Sequence, residues 1–406
     1  MAALFSGLKV LEFGGGAAGP FGTRYFADHG ASVVRVESKQ RPDFIRLLRY
    51  TPGAEGGFDA SHMFAMVNPN KYGIALNMNH PKGPELARRL VQWADVVAEN
   101  FAPKAMAKWG LDYPSLSALK PDLVMISTCL NGQTGPDRNY PGFGGQGSAI
   151  SGFNHLTGWS DREPLGPYGT ITDSLSPRLV ALLVASALIH RRKTGKGQYI
   201  DLAQVEGGVT CLSENILTYG ATGEVLGRRG NRSRHAAPHG AFRCAATDGD
   251  DDRWVVIAVH DDDEWQRFAG VVGEAWTADA RFATMAGRLD HVDTLEERVA
   301  GWTRNRSPED VMRVLQGANV EAGVVENFED LVRDPQLAHR RHFREVRHPV
   351  IGPHLVETNG MRFSRTPEEI RMPAPCLGEH TGYVFRELLG MPAAEYEALE
   401  KDGVFQ

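Results

Sequence analysis

Residues 8–37, LKVLEFGGGAAGPFGTRYFADHGASVVRVE, decide the fold. LKVLEF is a short apolar run of strand type, GGGAAGP is a turn of small residues, Arg24–His29 continues a helix, and ASVVRVE returns to β-branched residues. Strand, tight turn, helix and strand in this order form a βαβ unit, whose strands lie parallel because the helix carries the chain back.

The pattern repeats downstream. A helix over 82–93 precedes the apolar ADVVAENF, and PDLVMIST (121–128) is a buried-type strand bounded by turn residues. After a Gly-rich loop at 141–147, Pro177–Arg192 reads as a helix apolar nearly all round, which predicts that it lies inside the protein, with Ser176 as its cap. The strand QYIDLAQ follows, and then the polar GEVLGRRGNRSRHAAPHG breaks the pattern. AFRCAA and WVVIAV form a strand pair around the acidic turn TDGDDDR, followed by helices carrying Trp265, Trp276 and Trp302. The predicted fold is α/β: a Rossmann-like large domain with a parallel sheet (1–215, completed by 350–406), a linker (216–235), a smaller α+β domain (236–330) and a return linker (331–349).

Composition narrows the function classes. A net charge of −6 offers no broad attraction for nucleic acid or an anionic membrane. The N-terminus lacks a signal-type apolar run, and the expected location is the cytoplasm. Cys129, Cys211, Cys244 and Cys376 are far apart, read as buried thiols, and signal neither a disulfide framework nor zinc; no metal is expected.

Gly14, Gly16 and Gly19 fit GxGxxG between a strand and a helix, with Glu37 ending the next strand. That pattern alone points to NAD: glycines let the backbone approach a pyrophosphate and the acid holds a ribose hydroxyl. A tight strand-to-helix turn favours small residues without any dinucleotide, so the motif by itself is evenly balanced. The chain offers no GxxxxGK[ST] loop, and TGKGQ at 194–198 reads as a helix C-cap and turn.

Other segments tip the balance. The opening run together with NPNKYGIALNMNHPKG (68–83), ADVVAENFAPKAMAKWGLDY (94–113), PDLVMISTCLNGQTGP (121–136), TDSLSPRLVALLVASALIHRRKTGKGQYIDLAQVEG (172–207), DPQLAHRRHF (334–343) and APCLGEHT (374–381) resembles the family III CoA transferases, also called CaiB/BaiF or formyl-CoA transferases. The resemblance covers nearly the whole chain. It implies a catalytic aspartate just before the long helix, here Asp173, attacking an acyl-CoA thioester to form covalent aspartyl intermediates. It nominates Gly16, Ala17, Met78, Asn100, Phe101 and Lys108 against coenzyme A. Coenzyme A enters as a substrate, with no tightly bound cofactor. The family also implies an interlocked dimer, or a heteromer with a related subunit.

The chain departs from the pattern at three places. Ala17 stands where some relatives have a glutamine near the acyl group, Phe143-Gly144 replaces an aromatic-acidic pair, and HAAPHG (235–240) replaces a glycine-run lid. The first two put formyl or oxalyl specificity in doubt. Succinyl-CoA is the expected donor, and GFGGQGSAISGF with LTGW suggests an aryl- or alkylsuccinate acceptor, with a carnitine or bile-acid role competing. The alternatives are a racemase or isomerase of CoA thioesters, for which His155 is the available second acid/base, an NAD-dependent oxidoreductase, and a silent partner subunit.

Overall fold

The computed structural model describes residues 2–48, 56–168, 170–247 and 249–406, so Asp248 of the predicted acidic turn lies outside the described residues. The chain divides into two compact units: 1–154 with 166–225 and 338–406, and 155–165 with 226–337.

The first unit is built on a six-stranded parallel sheet in the order β3-β2-β1-β4-β5-β6, with β1 Lys9–Phe13, β2 Ser32–Glu37, β3 Lys71–Ala75, β4 Val96–Glu99, β5 Val124–Cys129 and β6 Gln198–Ala203. Val10, Leu11, Val33, Val34, Val97 and Val124 are fully buried, as parallel strands covered on both faces require. The chain winds from β1 outward to β3, then crosses to β4 on the other side of β1. Ligands of such sheets collect where the order reverses, beyond the C-terminal ends of β1 and β4. Phe13 and Glu99 are register partners there, so Gly14 and Asn100 leave the sheet side by side.

The helix expected over Pro177–Arg192 runs over Ile171–Thr194. It starts earlier because Pro177 lacks an N–H but does not forbid helical backbone around it; the bond lost is the one that the Asp173 carbonyl would accept. Ser176 therefore sits inside the helix and does not cap it; Thr170 is the N-cap residue and makes no side-chain cap bond. The helix packs closely on Ala18–Asp28, where a Cβ on Gly22 would meet the Val180 side chain at 2.6 Å. Contrary to the expectation from its composition, its far side is open: Leu182 is 60% and Ile189 56% exposed. Among the described residues it is the one helix long and apolar enough to cross a membrane by composition. The predicted glycine loop at 141–147 is in fact the start of a helix, Gly144–Ile150.

Helix Ser213–Thr222 occupies the start of the predicted linker, which leaves irregular chain from Gly223. From Ala338 the chain belongs to the first unit again, through the hairpin β10 Phe343–His348 and β11 Gly352–Glu357. The tail packs Phe385, Val404 and Phe405 into the core around Leu11 and Val97.

In the second unit, β7 His239–Arg243 and β8 Trp254–Ala258 pair antiparallel as expected, and β9 Glu321–Val324 joins β8. Four residues without clear alternation gave β9 no sequence signal. Trp265, Phe268, Leu295, Val299 and Trp302 form its core. Cys129 and Cys244 are buried as read, whereas Cys211 is exposed on the helix-to-helix turn after Thr210.

Candidate active site

Asp173 lies in the first turn of helix Ile171–Thr194, and Gly144 opens the helix Gly144–Ile150, so two helix N-termini meet at one carboxylate. Both ends present partial positive charge, which favours an anion. The packing leaves no room for a side chain at residue 144: a Cβ there would stand 2.4 Å from Asp173 Cγ. Thr172 is fully buried beside it and donates its hydroxyl to the Gly144 carbonyl at 3.1 Å. Ser148 donates to the same carbonyl at 2.8 Å.

Burial raises the Asp173 carboxyl above the ordinary aspartate range, opposed by hydrogen bonds from the Gly144 amide and the Gln204 side chain. A carboxylate partly stripped of water is a stronger nucleophile than a solvated one. Gln204 opens the helix Gln204–Thr210 directly after β6 and is buried. Its carbonyl oxygen has no hydrogen-bond partner among the described residues, while its amide serves Asp173. Sequence reading missed this residue, although a polar side chain at the C-terminal end of a parallel strand was a usable signal. Neither an amide N–H nor a carboxamide exchanges protons readily, which counts against the racemase reading. His155 belongs to the second unit.

The residues nominated for coenzyme A fall at the sheet's reversal point and near it. Gly16 follows β1 at φ 75°, and a Cβ there would collide with the Phe44 ring at 2.8 Å. Ala17 precedes helix Ala18–Asp28 without capping it. Asn100 ties the turn after β1 to the end of β4: Gly15 N–H donates to Oδ1 at 3.0 Å and Nδ2 donates to the Gly15 carbonyl at 2.6 Å. Phe101 is half-buried with its ring edge-on to Trp109 at 5.7 Å, and Met78 packs against the same apolar cluster. Lys108 ends the short helix Ala105–Lys108, exposed to solvent.

This turn is not the anion cradle that the NAD motif suggests. Gly16 N–H already donates to both oxygens of Asp43, at 2.9 and 3.2 Å, so a protein carboxylate occupies the place of a pyrophosphate. Glu37 is equally committed: Arg46 grips it through two bonds of 2.9 Å, and Arg35 lies beside it at 3.6 Å. Arg35 also pairs with Glu12 and Asp43 and donates to the Gly14 carbonyl at 3.1 Å. Burial would raise Glu12, but Lys71 and Arg35 outweigh it and hold that carboxyl down at about 2. The network beneath the glycines is thus ionic, with the buried Arg35 Nε left without a hydrogen-bond partner among the described residues.

Comparison with known proteins agrees with this geometry. Residues 5–381 match the model of CoA-transferase family III. The chain belongs to CoA-transferase family III. A succinyl-CoA–D-citramalate CoA-transferase of Chloroflexus aurantiacus is 32% identical over 97% of this chain and 96% of its own length. The beta subunit of a succinyl-CoA–L-malate CoA-transferase from the same organism is 31% identical over 95% of this chain and 94% of its own. A solved CaiB/BaiF family protein from Brucella suis superposes with a TM-score of 0.86 at 30% identity, covering 96% of this chain and all of that one. This chain is therefore a CoA-transferase of a family that uses CoA thioesters as substrates, and its mixed α/β architecture is the family's.

Proposed function

We propose that the enzyme moves coenzyme A from succinyl-CoA to a dicarboxylic acid, with Asp173 as the covalent nucleophile. The observation that carries the reading is the Asp173 carboxylate, half-buried between two helix N-termini and hydrogen-bonded by the Gly144 amide and Gln204. The succinyl donor follows the names of both Chloroflexus relatives. An aryl- or alkylsuccinate is one member of the acceptor class.

The steps balance without an outside energy source. An Asp173 oxygen attacks the thioester carbonyl, the C–S bond breaks, and the CoA thiolate leaves behind a mixed anhydride. The thiolate then attacks the aspartyl carbonyl, releasing succinate and leaving a CoA thioester on Asp173. The acceptor carboxylate displaces that thiolate to form a second anhydride, and thiolate attack on the acceptor's acyl carbon releases the product thioester and frees Asp173. In the two middle steps, where the aspartyl carbonyl is attacked, charge builds on an Asp173 oxygen, and the hydrogen bond from the Gly144 amide to that carboxylate supports its stabilisation. We assign Gly16, Ala17, Met78, Asn100, Phe101 and Lys108 to the coenzyme, the last as a phosphate contact.

Two copies, or this chain and a related one, assemble in this reading, since the apolar side chains of Leu182, Ile189, Leu217 and Tyr219 stand exposed on the first unit. The working compartment is the cytoplasm, where acyl-CoA donors are found. Mass spectrometry of CoA thioesters formed from succinyl-CoA and a panel of dicarboxylic acids tests the reaction. Wild type is expected to transfer and Asp173→Ala to be inert, with a CoA adduct on the Asp173 peptide of wild type alone. Comparable transfer by Asp173→Ala would remove the aspartyl mechanism.

A further inference from the structure

We infer that the first unit carries a separate binding site for a phosphorylated organic anion of mononucleotide size, built on the β10–β11 hairpin and the loop after it. A cavity of about 350 Å³ is lined there by Arg340, Arg341, Arg344 and Arg362 with His339 and His342, within the size range of small-ligand pockets. None of its lining residues belongs to the Asp173 neighbourhood or to the coenzyme set.

The charge in this cavity is mostly uncompensated. No carboxylate oxygen of the described residues lies within the 4.0 Å of an ion pair from any of the four guanidinium groups. One acid, Glu368, lines the cavity, so four positive groups face one negative. Glu368 is turned to other work, accepting the Asn359 backbone and side-chain N–H groups at 3.0 Å each. Elsewhere the same chain pairs its buried arginines thoroughly, as Arg35 and Arg46 are. A knot of unpaired arginines in a protein of net charge −6 is a local arrangement and not the overflow of a basic surface.

The backbone holds these groups in place. Arg341, in the turn between helix Pro335–His339 and β10, is a non-glycine residue at φ 50°, a left-handed conformation that costs free energy, and its N–H donates to the Ala338 carbonyl at 2.9 Å. Arg340 donates to the Gly360 carbonyl at 3.2 Å, which ties one side of the cavity to the other. The backbone N–H of buried Thr358 donates to the His342 carbonyl at 2.8 Å, and its hydroxyl lies 3.3 Å from His342 Nδ1.

The lining also fixes the ligand's chemistry. Guanidinium forks match phosphate oxygens two at a time, and several together suit a group carrying more than one negative charge. Met361 and Phe363, 46% and 38% exposed, offer apolar surface beside Pro367 for an uncharged body. An inorganic ion would leave that surface unused.

The test is calorimetric titration of the full chain with AMP, adenosine and inorganic phosphate, in the presence of saturating CoA. AMP is expected to bind with CoA present, adenosine not to bind, and phosphate to bind more weakly than AMP. Arg341→Gln with Arg344→Gln should weaken AMP about a hundredfold, at roughly tenfold for each lost charge-assisted contact. Arg362→Gln alone should weaken it about tenfold, and it carries the test if the double variant fails to fold. Displacement of AMP by CoA, binding unchanged in both variants, phosphate binding as tightly as AMP, or no binding at all would each overturn the site. The outcome is independent of whether the Asp173 mechanism holds, because transfer is not the readout.

Discussion

Asn100 and Gly15 lock to each other at both ends, the Asn100 side chain accepting the Gly15 N–H at 3.0 Å and donating to the Gly15 carbonyl at 2.6 Å. This pair spans the point where the strand order reverses, since β1 and β4 are neighbours in the sheet. One carboxamide therefore sets the distance between the two segments assigned to the coenzyme. Asn100→Ala leaves both backbone groups of Gly15 without that partner, at a cost of about 1–3 kcal/mol. The expected result is a rise in the KM for the CoA donor of about tenfold with kcat little changed. Steady-state kinetics against succinyl-CoA check it, and an unchanged KM would detach this turn from coenzyme binding.

Gly144 has a different reason for being glycine. Its φ is not in the left-handed region, so alanine suits the helix backbone and by propensity favours it. What alanine does not suit is Asp173, whose carboxylate carbon would lie 2.4 Å from the new methyl group. Gly144→Ala is expected to keep its thermal unfolding midpoint within a few degrees while losing about a hundredfold in kcat, the scale of a displacement of about 1 Å at the reacting group. Retained activity would mean that the carboxylate has slack in this pocket.

Much of this arrangement was legible in the sequence, and the parts that were not have identifiable causes. The strand-turn-helix-strand unit at 8–37 reads correctly because its apolar runs are buried on both faces and nothing tertiary competes with them. The long helix starts before the boundary that Pro177 suggests, because the structure lets one hydrogen bond lapse at the Asp173 carbonyl and continues the helix past it. Gln204 reaches Asp173 from the end of a different strand; its polar character at a strand's C-terminal end marks it as a site candidate, but spacing along the chain does not pair it with Asp173. The GxGxxG turn is evenly balanced between a pyrophosphate cradle and a plain tight turn in the sequence, because Asp43, which fills it, comes from the loop after β2.

Glu99 makes the protein's pH behaviour predictable. It is buried at the end of β4, accepts the Phe101 N–H at 2.8 Å, and has no ion-pair partner among the described residues. Burial pushes its carboxyl up to about 7, with Asp201 adding to the rise and the hydrogen bonds from Ser127 and Phe101 opposing it. A carboxyl whose folded value lies above its unfolded value near 4.5 favours folding while protonated, and that advantage is lost as the pH rises through about 7. The loss is on the order of 3 kcal/mol across the window. Glu99→Gln imitates the neutral form at every pH. Urea unfolding from pH 5 to pH 8 is expected to show wild-type stability falling where the variant stays flatter; parallel slopes would show that Glu99 is already ionised at pH 5.

The same logic with the opposite partner applies to Asp173, where the hydrogen bond from Gln204 lowers a carboxyl that burial raises. Gln204→Leu keeps the side chain's bulk and removes its unpartnered buried oxygen, so the fold has no reason to suffer. The Asp173 carboxylate, however, loses a donor that favours its charged form, and its affinity for a proton rises. Since the proposed nucleophile acts in its ionised form, the acid limb of kcat/KM is expected to move to higher pH. Above that limb the variant should still fall short by more than about tenfold, because a charge-assisted bond that also steadies the attacking carboxylate is missing. A pH-rate profile of wild type and Gln204→Leu separates the two effects: a displaced acid limb assigns Gln204 to the carboxylate's ionisation, whereas a lower plateau with the limb in place assigns it to orientation alone.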